Sequence, residues 1–218
     1  LASRDMGLPG TPPLYSSAAS DCYKRQLYAD LVTRMPSKPL QEAMVDLTSV
    51  MATPANLYRL SSNEEEREKL EKEEPWGCDG QLAIGILRGE QFSGIKVDTD
   101  VAKEARALSA QMREVFELPQ LSVASRYSHQ ELVEAIACLH PELVFVRRLK
   151  RKEAMANGEM EVILGRETRF PSKTEAALVL DTPSLPGRGV KQTLNLATLT
   201  LPVSYKHQTD PTNKREAY

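Results

Sequence analysis

Three histidines and three cysteines are the scarce reactive side chains of this 218-residue chain. His129, His140 and His207 show no spacing that would seat a metal, and Cys22, Cys78 and Cys138 lie far apart. There is no C-x-x-C pair, H-E-x-x-H helix or EF-hand loop, the patterns that converge several ligands on one ion. Asp98-Thr99-Asp100 opens like a calcium loop but lacks the glycine and the terminal glutamate needed to close one, so a helix cap explains it better. Gly77, Gly80, Gly85, Gly89 and Gly94 form neither G-x-G-x-x-G nor a Walker loop. Acids follow Gly94 where a phosphate cradle needs free backbone amides. No G-x-S-x-G elbow occurs, and no cysteine lies beside a histidine in sequence. Gly165-Arg166-Glu167 and Gly187-Arg188-Gly189 read as turns carrying a basic residue. No catalytic residue, cofactor-binding residue or metal ligand is therefore expected. His129 and His140 are expected to be structural, the first inside a capping box and the second preceding a proline.

Charge clusters are the remaining candidates. Arg147, Arg148, Lys150, Arg151 and Lys152 place five positive charges in six residues. Such a cluster suits the phosphates of rRNA or anionic lipid head groups. Stacking aromatics are missing around it apart from Phe145, which argues against single-stranded nucleic acid. Glu64, Glu65, Glu66, Glu68 and Glu71 dominate a stretch, Ser61 to Gly80, with eight acids and three bases. These carboxylates gather at the favourable end of a solvated helix, and an acidic docking face for a basic partner is the sharper reading.

The elements that must position these residues follow from spacing. Val101, Ala105, Leu108, Met112 and Val115 form the apolar stripe of an amphipathic helix, with Lys103, Glu104, Arg106, Gln111, Arg113 and Glu114 on its outer face. Asp98 or Asp100 caps it and Pro119 closes it. Ser128 to Glu131 has the S-x-x-E form of a capping box ahead of Leu132, Ile136 and Leu139, which predicts an antiparallel helix pair. Upstream, Tyr23, Leu27, Leu31 and Met35 mark a helix capped by Ser20 or Asp21 and ending at Pro36. Ser37 with Pro39 starts another through Leu40, Met44, Leu47 and Met51. Thr53-Pro54 repeats that start signal, and Ser62 to Glu65 reads as a further capping box. The segment Pro75 to Gly80 is a turn cluster and the best internal boundary; Gln81 to Arg88 admits helix or strand. After Pro141 the pattern changes to strands: Leu143 to Val146, Met160 to Leu164 returning through an Asn157-Gly158 turn, and Ala176 to Leu180. Thr182 to Gly187 is expected to be loop. Leu194, Leu196, Leu199, Leu201 and Val203 alternate, with a phase switch near Ala197 that reads as a bulge.

The expected fold is α+β: an extended Pro/Gly-rich arm over 1–19, a helical bundle over 20–140, a short-stranded β or extended region over 141–205, and a polar tail over 206–218. An all-helical core with an extended C-terminal segment lying over a neighbour is the alternative. A content of 41% hydrophobic and 27% charged residues, with mean hydropathy −0.40, is that of a globular protein. The longest apolar runs fall far short of the ~20 residues a membrane span needs, so no transmembrane span is expected. A net charge of −2 and a pI near 6.0 argue against a surface wholly devoted to nucleic acid. Three scattered cysteines favour a reducing compartment over a disulfide framework. The start at Leu1 rather than methionine reads as the product of targeting-peptide cleavage, for mitochondrial or plastid import, with the mitochondrial matrix side as the expected location.

Gly7-Leu8-Pro9-Gly10, Leu27-Tyr28, Pro36, Gly80-Gln81 and Met112-Arg113-Glu114 occur in the order found in one known family. In these motifs the N-terminal half resembles the 13-kDa B accessory subunit of mitochondrial respiratory complex I. The spacings differ by several residues, the family's closing Trp-x-Pro-Trp is missing, and residues 120–218 have no counterpart. The resemblance implies a noncatalytic subunit packed on the peripheral arm, without catalytic residues to transfer. The expectation is thus a structural or accessory subunit of a large mitochondrial assembly, a respiratory-chain or ATP-synthase complex, whose partners are other subunits. A mitochondrial ribosomal protein contacting rRNA through 147–152 is the alternative. A soluble enzyme with its site between the helical and β parts is the reading from another class.

Overall fold

The computed structural model describes residues 17–73, 77–149, 151–165, 168–171, 174–186 and 193–203. Of the expected arm over 1–19, residues 1–16 lie outside the described residues and 17–19 open helix α1 instead; the tail over 206–218 also lies outside the described residues. Helices fill the first part of the chain: α1 (Ser17–Arg34), α2 (Lys38–Met51), α3 (Glu64–Glu73), α4 (Asp79–Leu87), α5 (Thr99–Val115) and α6 (His129–Leu139). Strands fill the second: β3 (Val144–Arg148), β4 (Arg151–Ala156), β5 (Glu161–Leu164), β6 (Ala176–Asp181), β7 (Ser184–Pro186), β8 (Thr193–Ala197) and β9 (Leu199–Val203). The helical part is not a simple bundle, because β1 (Tyr58–Leu60) and β2 (Ile95–Val97) pair antiparallel within it.

Helix α2 is the hub, packing against α1, α4, α5 and α6. Ser37 precedes it and Pro39 sits in its first turn, as the spacing predicts. Surrounded on so many sides, it buries Leu40, Met44 and Leu47 and also Glu42, Asp46 and Ser49. Helix α5 starts on Asp98, whose carboxylate accepts from the amides of Asp100 and Val101, and α6 starts on Ser128, whose hydroxyl accepts from Glu131 N–H. These two helices do not pair principally with each other. α5 lies on α2 and α4, whereas α6 lies on β9, α2 and α1. The inward face of α5 is also rotated from the apolar stripe. Val101, Ala102, Ala105, Ser109 and Arg113 are buried, while Val115 is 78% exposed.

Other local signals were overridden. Thr53-Pro54 begins no helix; the chain turns there and enters β1. Asn63, not Ser62, caps α3, its side chain accepting from Glu65 N–H at 3.0 Å. The turn cluster before Gln81 ends in a buried helix start at Asp79, so Gly77–Gly80 lie inside the fold; Pro75 and Trp76 lie outside the described residues.

The large sheet runs β7-β8-β5-β4-β3-β6-β9. Only Thr198 separates β8 from β9, yet they stand at different places in the order: β8 pairs with β5 and β9 with β6. They are two halves of one bent strand, and the sheet curls to accommodate them. The phase switch near Ala197 is this bend. Ser184–Pro186, expected as loop, forms the edge strand β7, where Pro186 needs no ladder partner for a missing N–H. The basic run also contains a strand start: β4 begins at Arg151 and pairs on both sides. Alternation along β6 divides the core, with Leu178 and Leu180 facing the helices and Ala177 and Val179 joining Phe145, Met155 and Val162 inside the curl. No helix among the described residues is long and apolar enough to cross a membrane.

Candidate functional site

Two side chains set aside separately in the sequence meet in space. Cys78 precedes α4 as its N-cap residue, and its Sγ lies 3.8 Å from Nε2 of His129, the first residue of α6. The amides of Gly80 and Gln81, in the open first turn of α4, point at the same sulfur and favour its thiolate. Full burial outweighs them and, with the neighbouring Asp79 carboxylate, pushes the Cys78 thiol up to about 12. Burial likewise lowers the His129 imidazole. The resting pair is therefore a neutral thiol beside a neutral imidazole, the state from which a histidine acts as general base. Nδ1 of His129 is buried without a hydrogen-bond partner among the described residues.

Asp79, the next residue, is also fully enclosed. Its carboxylate accepts from Tyr58 Oη at 2.7 Å, Arg169 N–H at 2.7 Å and Thr200 Oγ1 at 2.9 Å. Desolvation still wins over these donors and raises Asp79 to about 7. These contacts tie the start of α4 to β1, β9 and the 168–171 segment. Close packing depends on Gly80: a Cβ there would meet Leu201 at 2.9 Å. Tyr58 and Asp79 line a cavity of ≈360 Å³ between the helical part and the sheet, walled mainly by apolar groups such as Met51, Leu57 and Leu199. That volume falls within the range of small-molecule sites. Asp181 and Thr198 close its far side, with Asp181 accepting from Lys24 Nζ at 2.8 Å and Thr198 Oγ1 at 3.0 Å.

A third cluster is built on α2. Arg113, placed by periodicity on an outer face, is 1% exposed. Its guanidinium forks onto both oxygens of Asp46 at 2.9 Å and reaches Glu42 Oε2 at 3.1 Å. Arg88 Nε donates to Asp46 Oδ2 at 2.9 Å, and Ser109 Oγ donates to Asp46 Oδ1 at 2.9 Å. Two guanidinium groups thus balance two carboxylates inside the core. Burial opposes the charge on Glu42, but the Ser125 amide and hydroxyl and Arg113 hold its carboxyl below the usual range.

No family model and no curated protein matches this chain. Its chemistry must be read from the geometry.

The charge clusters sit elsewhere. Glu64, Glu65, Glu66, Glu68 and Glu71 are exposed on α3, which is anchored by buried Leu70. Gly94 makes room beneath it: at φ +70 its Cβ position would meet Glu66 O at 2.9 Å. The basic run spans the β3–β4 connection. Arg147 Nε donates to Thr174 O at 3.1 Å and its guanidinium lies over Phe170. Arg148 bridges to Glu161 at 3.3 Å. Lys150 lies outside the described residues, as do the side chains of Arg151 and Lys152, whose backbone opens β4. Arg147 and Arg148 are therefore engaged by the sheet itself. His140, expected to be structural, bridges Asp30 on α1 at 2.9 Å and Glu142 at 2.7 Å. No cluster of metal-binding side chains occurs among the described residues.

Sequence reasoning missed Cys78, Asp79, Tyr58 and the buried charges on α2. One signal for the first was available: a cysteine at the entry to the short apolar helix Asp79–Leu87. A capping box explains His129 from the sequence alone; the Ser128 hydroxyl does accept from Glu131 N–H, and this leaves the imidazole to face another helix start.

Proposed function

We propose that the chain is a thiol-dependent acyl-transfer or hydrolytic enzyme with Cys78 as nucleophile and His129 as general base. The observation that carries this reading is the 3.8 Å approach of Cys78 Sγ to His129 Nε2 across 51 residues of sequence, at the N-terminus of α4. In the reaction, Nε2 takes the thiol proton while Sγ attacks the carbonyl carbon of an ester, thioester or amide. The first-turn amides of α4 are donors for the developing oxyanion. Collapse expels the leaving group, which recovers the proton from His129, and leaves a thioester on Cys78. Water or another nucleophile, deprotonated by His129, then releases the acyl group. Neither Cys78 nor His129 lines the cavity; Asp79, next to Cys78 in sequence, does, and its lining suits a small, largely apolar acyl or acceptor group. An activated acyl ester incubated with the protein should leave an acyl adduct on Cys78, mapped by peptide mass spectrometry. Cys78→Ser should abolish that adduct and His129→Gln should slow its formation. Acylation of other residues only, at rates indifferent to both changes, would refute the assignment.

The accessory-subunit reading is the second, and the β3–β4 connection favours it. Leu149 is fully exposed there, and Val146 is 47% exposed, beside exposed Arg148. An apolar tip with adjoining positive charge suits a protein, rRNA or lipid partner within a mitochondrial respiratory-chain, ATP-synthase or ribosomal particle. Migration of the native protein in a megadalton-scale particle supports this reading. Release by nuclease selects the ribosome, and recovery as a monomer rules the reading out.

A further inference from the structure

We infer that Glu42 and Arg88 are positioning residues: through Ser125 and Tyr127 they hold the segment that sets His129 against Cys78. This rests on the Cys78–His129 reading above.

The observations form one chain of contacts. Ser125 stands four residues before His129, and all of its polar backbone and side-chain atoms are held. Its N–H donates to Glu42 Oε2 at 3.0 Å, its hydroxyl to Glu42 Oε1 at 2.8 Å, and its carbonyl accepts from Arg88 Nη1 at 2.8 Å. Two residues on, the Tyr127 ring lies 5.2 Å from the Arg88 guanidinium carbon. Ser128 then caps α6, and His129 follows. Glu42 and Arg88 are fixed in turn by Arg113 and Asp46.

His129 needs this support. In hydrogen-bonded catalytic pairs a third group commonly orients the imidazole through its other nitrogen. Here Nδ1 has no partner among the described residues. Ring orientation must therefore come from the backbone that carries it, and that backbone is pinned at Ser125 and Tyr127. Ion pairing alone would not require Glu42 to spend both oxygens on Ser125, nor Arg88 to turn one nitrogen away from Asp46. A base displaced by an ångström loses on the order of 100-fold in rate.

The test is a double-mutant cycle on the alkylation rate of Cys78 by iodoacetamide, in the 218-residue chain carrying Cys22→Ser and Cys138→Ser. Arg88→Ala should slow alkylation about tenfold or more when His129 is present. It should change nothing further in a His129→Gln background. Glu42→Gln should behave in the same way. If Arg88 is only structural, its loss changes the rate equally in both backgrounds, or speeds it by uncovering the buried thiol, and the inference is overturned. If His129→Gln alone leaves the rate unchanged, the Cys78–His129 reading itself fails, a different result. Should Arg88→Ala not fold, Arg88→Lys takes its place, because lysine can keep the Asp46 ion pair without the fork that also reaches Ser125.

Discussion

Replacing Arg113 by methionine tests whether the buried charges on α2 act as a balanced unit. Arg113 and Arg88 face Asp46 and Glu42, and every one of these side chains is nearly or fully enclosed. Arg113→Met keeps a long side chain in place, so little of its effect comes from an empty cavity. It leaves two carboxylates with one guanidinium. Asp46 retains Arg88 and Ser109, while among the described residues Glu42 retains only Ser125 as a donor. Breaking a buried pair from one side costs about 3–5 kcal/mol. For a chain of this size that lowers Tm by roughly 6–20 °C. Urea unfolding followed by circular dichroism measures it directly, with Lys103→Met as a control. Lys103 pairs with Asp100 at 3.4 Å in open solvent, and its loss should stay within about 0.5 kcal/mol. Adding Glu42→Gln to Arg113→Met should restore part of the loss by removing the carboxylate with the fewest remaining donors. The deficit of Arg113→Met should also narrow toward pH 4, because an uncompensated Glu42 then takes up a proton. A loss no larger than that of Lys103→Met, at any pH, would refute the view that these charges are buried and interdependent.

Three further outcomes follow from particular contacts. Burial lowers the His140 imidazole, but the hydrogen bonds and charges of Glu142 and Asp30 together outweigh it and raise the group. Its stabilising contribution is therefore present below the unfolded pKa, near 6.5, and is lost as pH rises through the higher folded value. The difference in urea midpoint between wild type and His140→Gln should be largest near pH 6 and shrink by pH 9. Asp79 carries a folded pKa of about 7, above the 3.8 of an unperturbed aspartate, because burial disfavours its charge. The native state binds its proton more tightly, so Asp79 should contribute a loss of stability as pH rises between these values, and Asp79→Asn should flatten that slope. Gly80→Ala places a methyl group against the buried Leu201 side chain and should cost about 1–3 kcal/mol, read by thermal unfolding.

Much of the helical part was legible because its signals are local. Ser37 with Pro39, Asp98 and Ser128 each mark a helix start that depends on atoms only a few residues away. The order of helices before strands was also readable from the change in pattern after Pro141. Long-range pairing was not. Thr53-Pro54 carries the same start signal as Ser37 to Pro39, yet β1 needs β2, 37 residues away, to satisfy its backbone: Tyr58 faces Val97 and Leu60 faces Ile95. The bend at Thr198 reads as a bulge because one strand's alternation cannot reveal that its two halves face different neighbours.

The site was hidden by the same rule that exposed the helices. Periodicity assigns a face by polarity, so it sends arginine and glutamate outward. That holds for the glutamates of α3, where water surrounds the helix. It fails on α2, which has helices on several sides and no outward face left over Glu42 and Asp46. A carboxylate there must be met by a cation from another element, and Arg113 leaves the outer face of its helix to do so. Once those charges are paired, their remaining hydrogen-bonding capacity falls on Ser125, and the path to His129 follows. The rotation of α5 away from its apolar stripe, with Val115 left exposed and Arg113 buried, is the visible trace of this substitution of charge pairing for hydrophobic packing. Polarity patterns fail here because the relevant partner is a charge 67 residues distant, and only the fold brings it to hand.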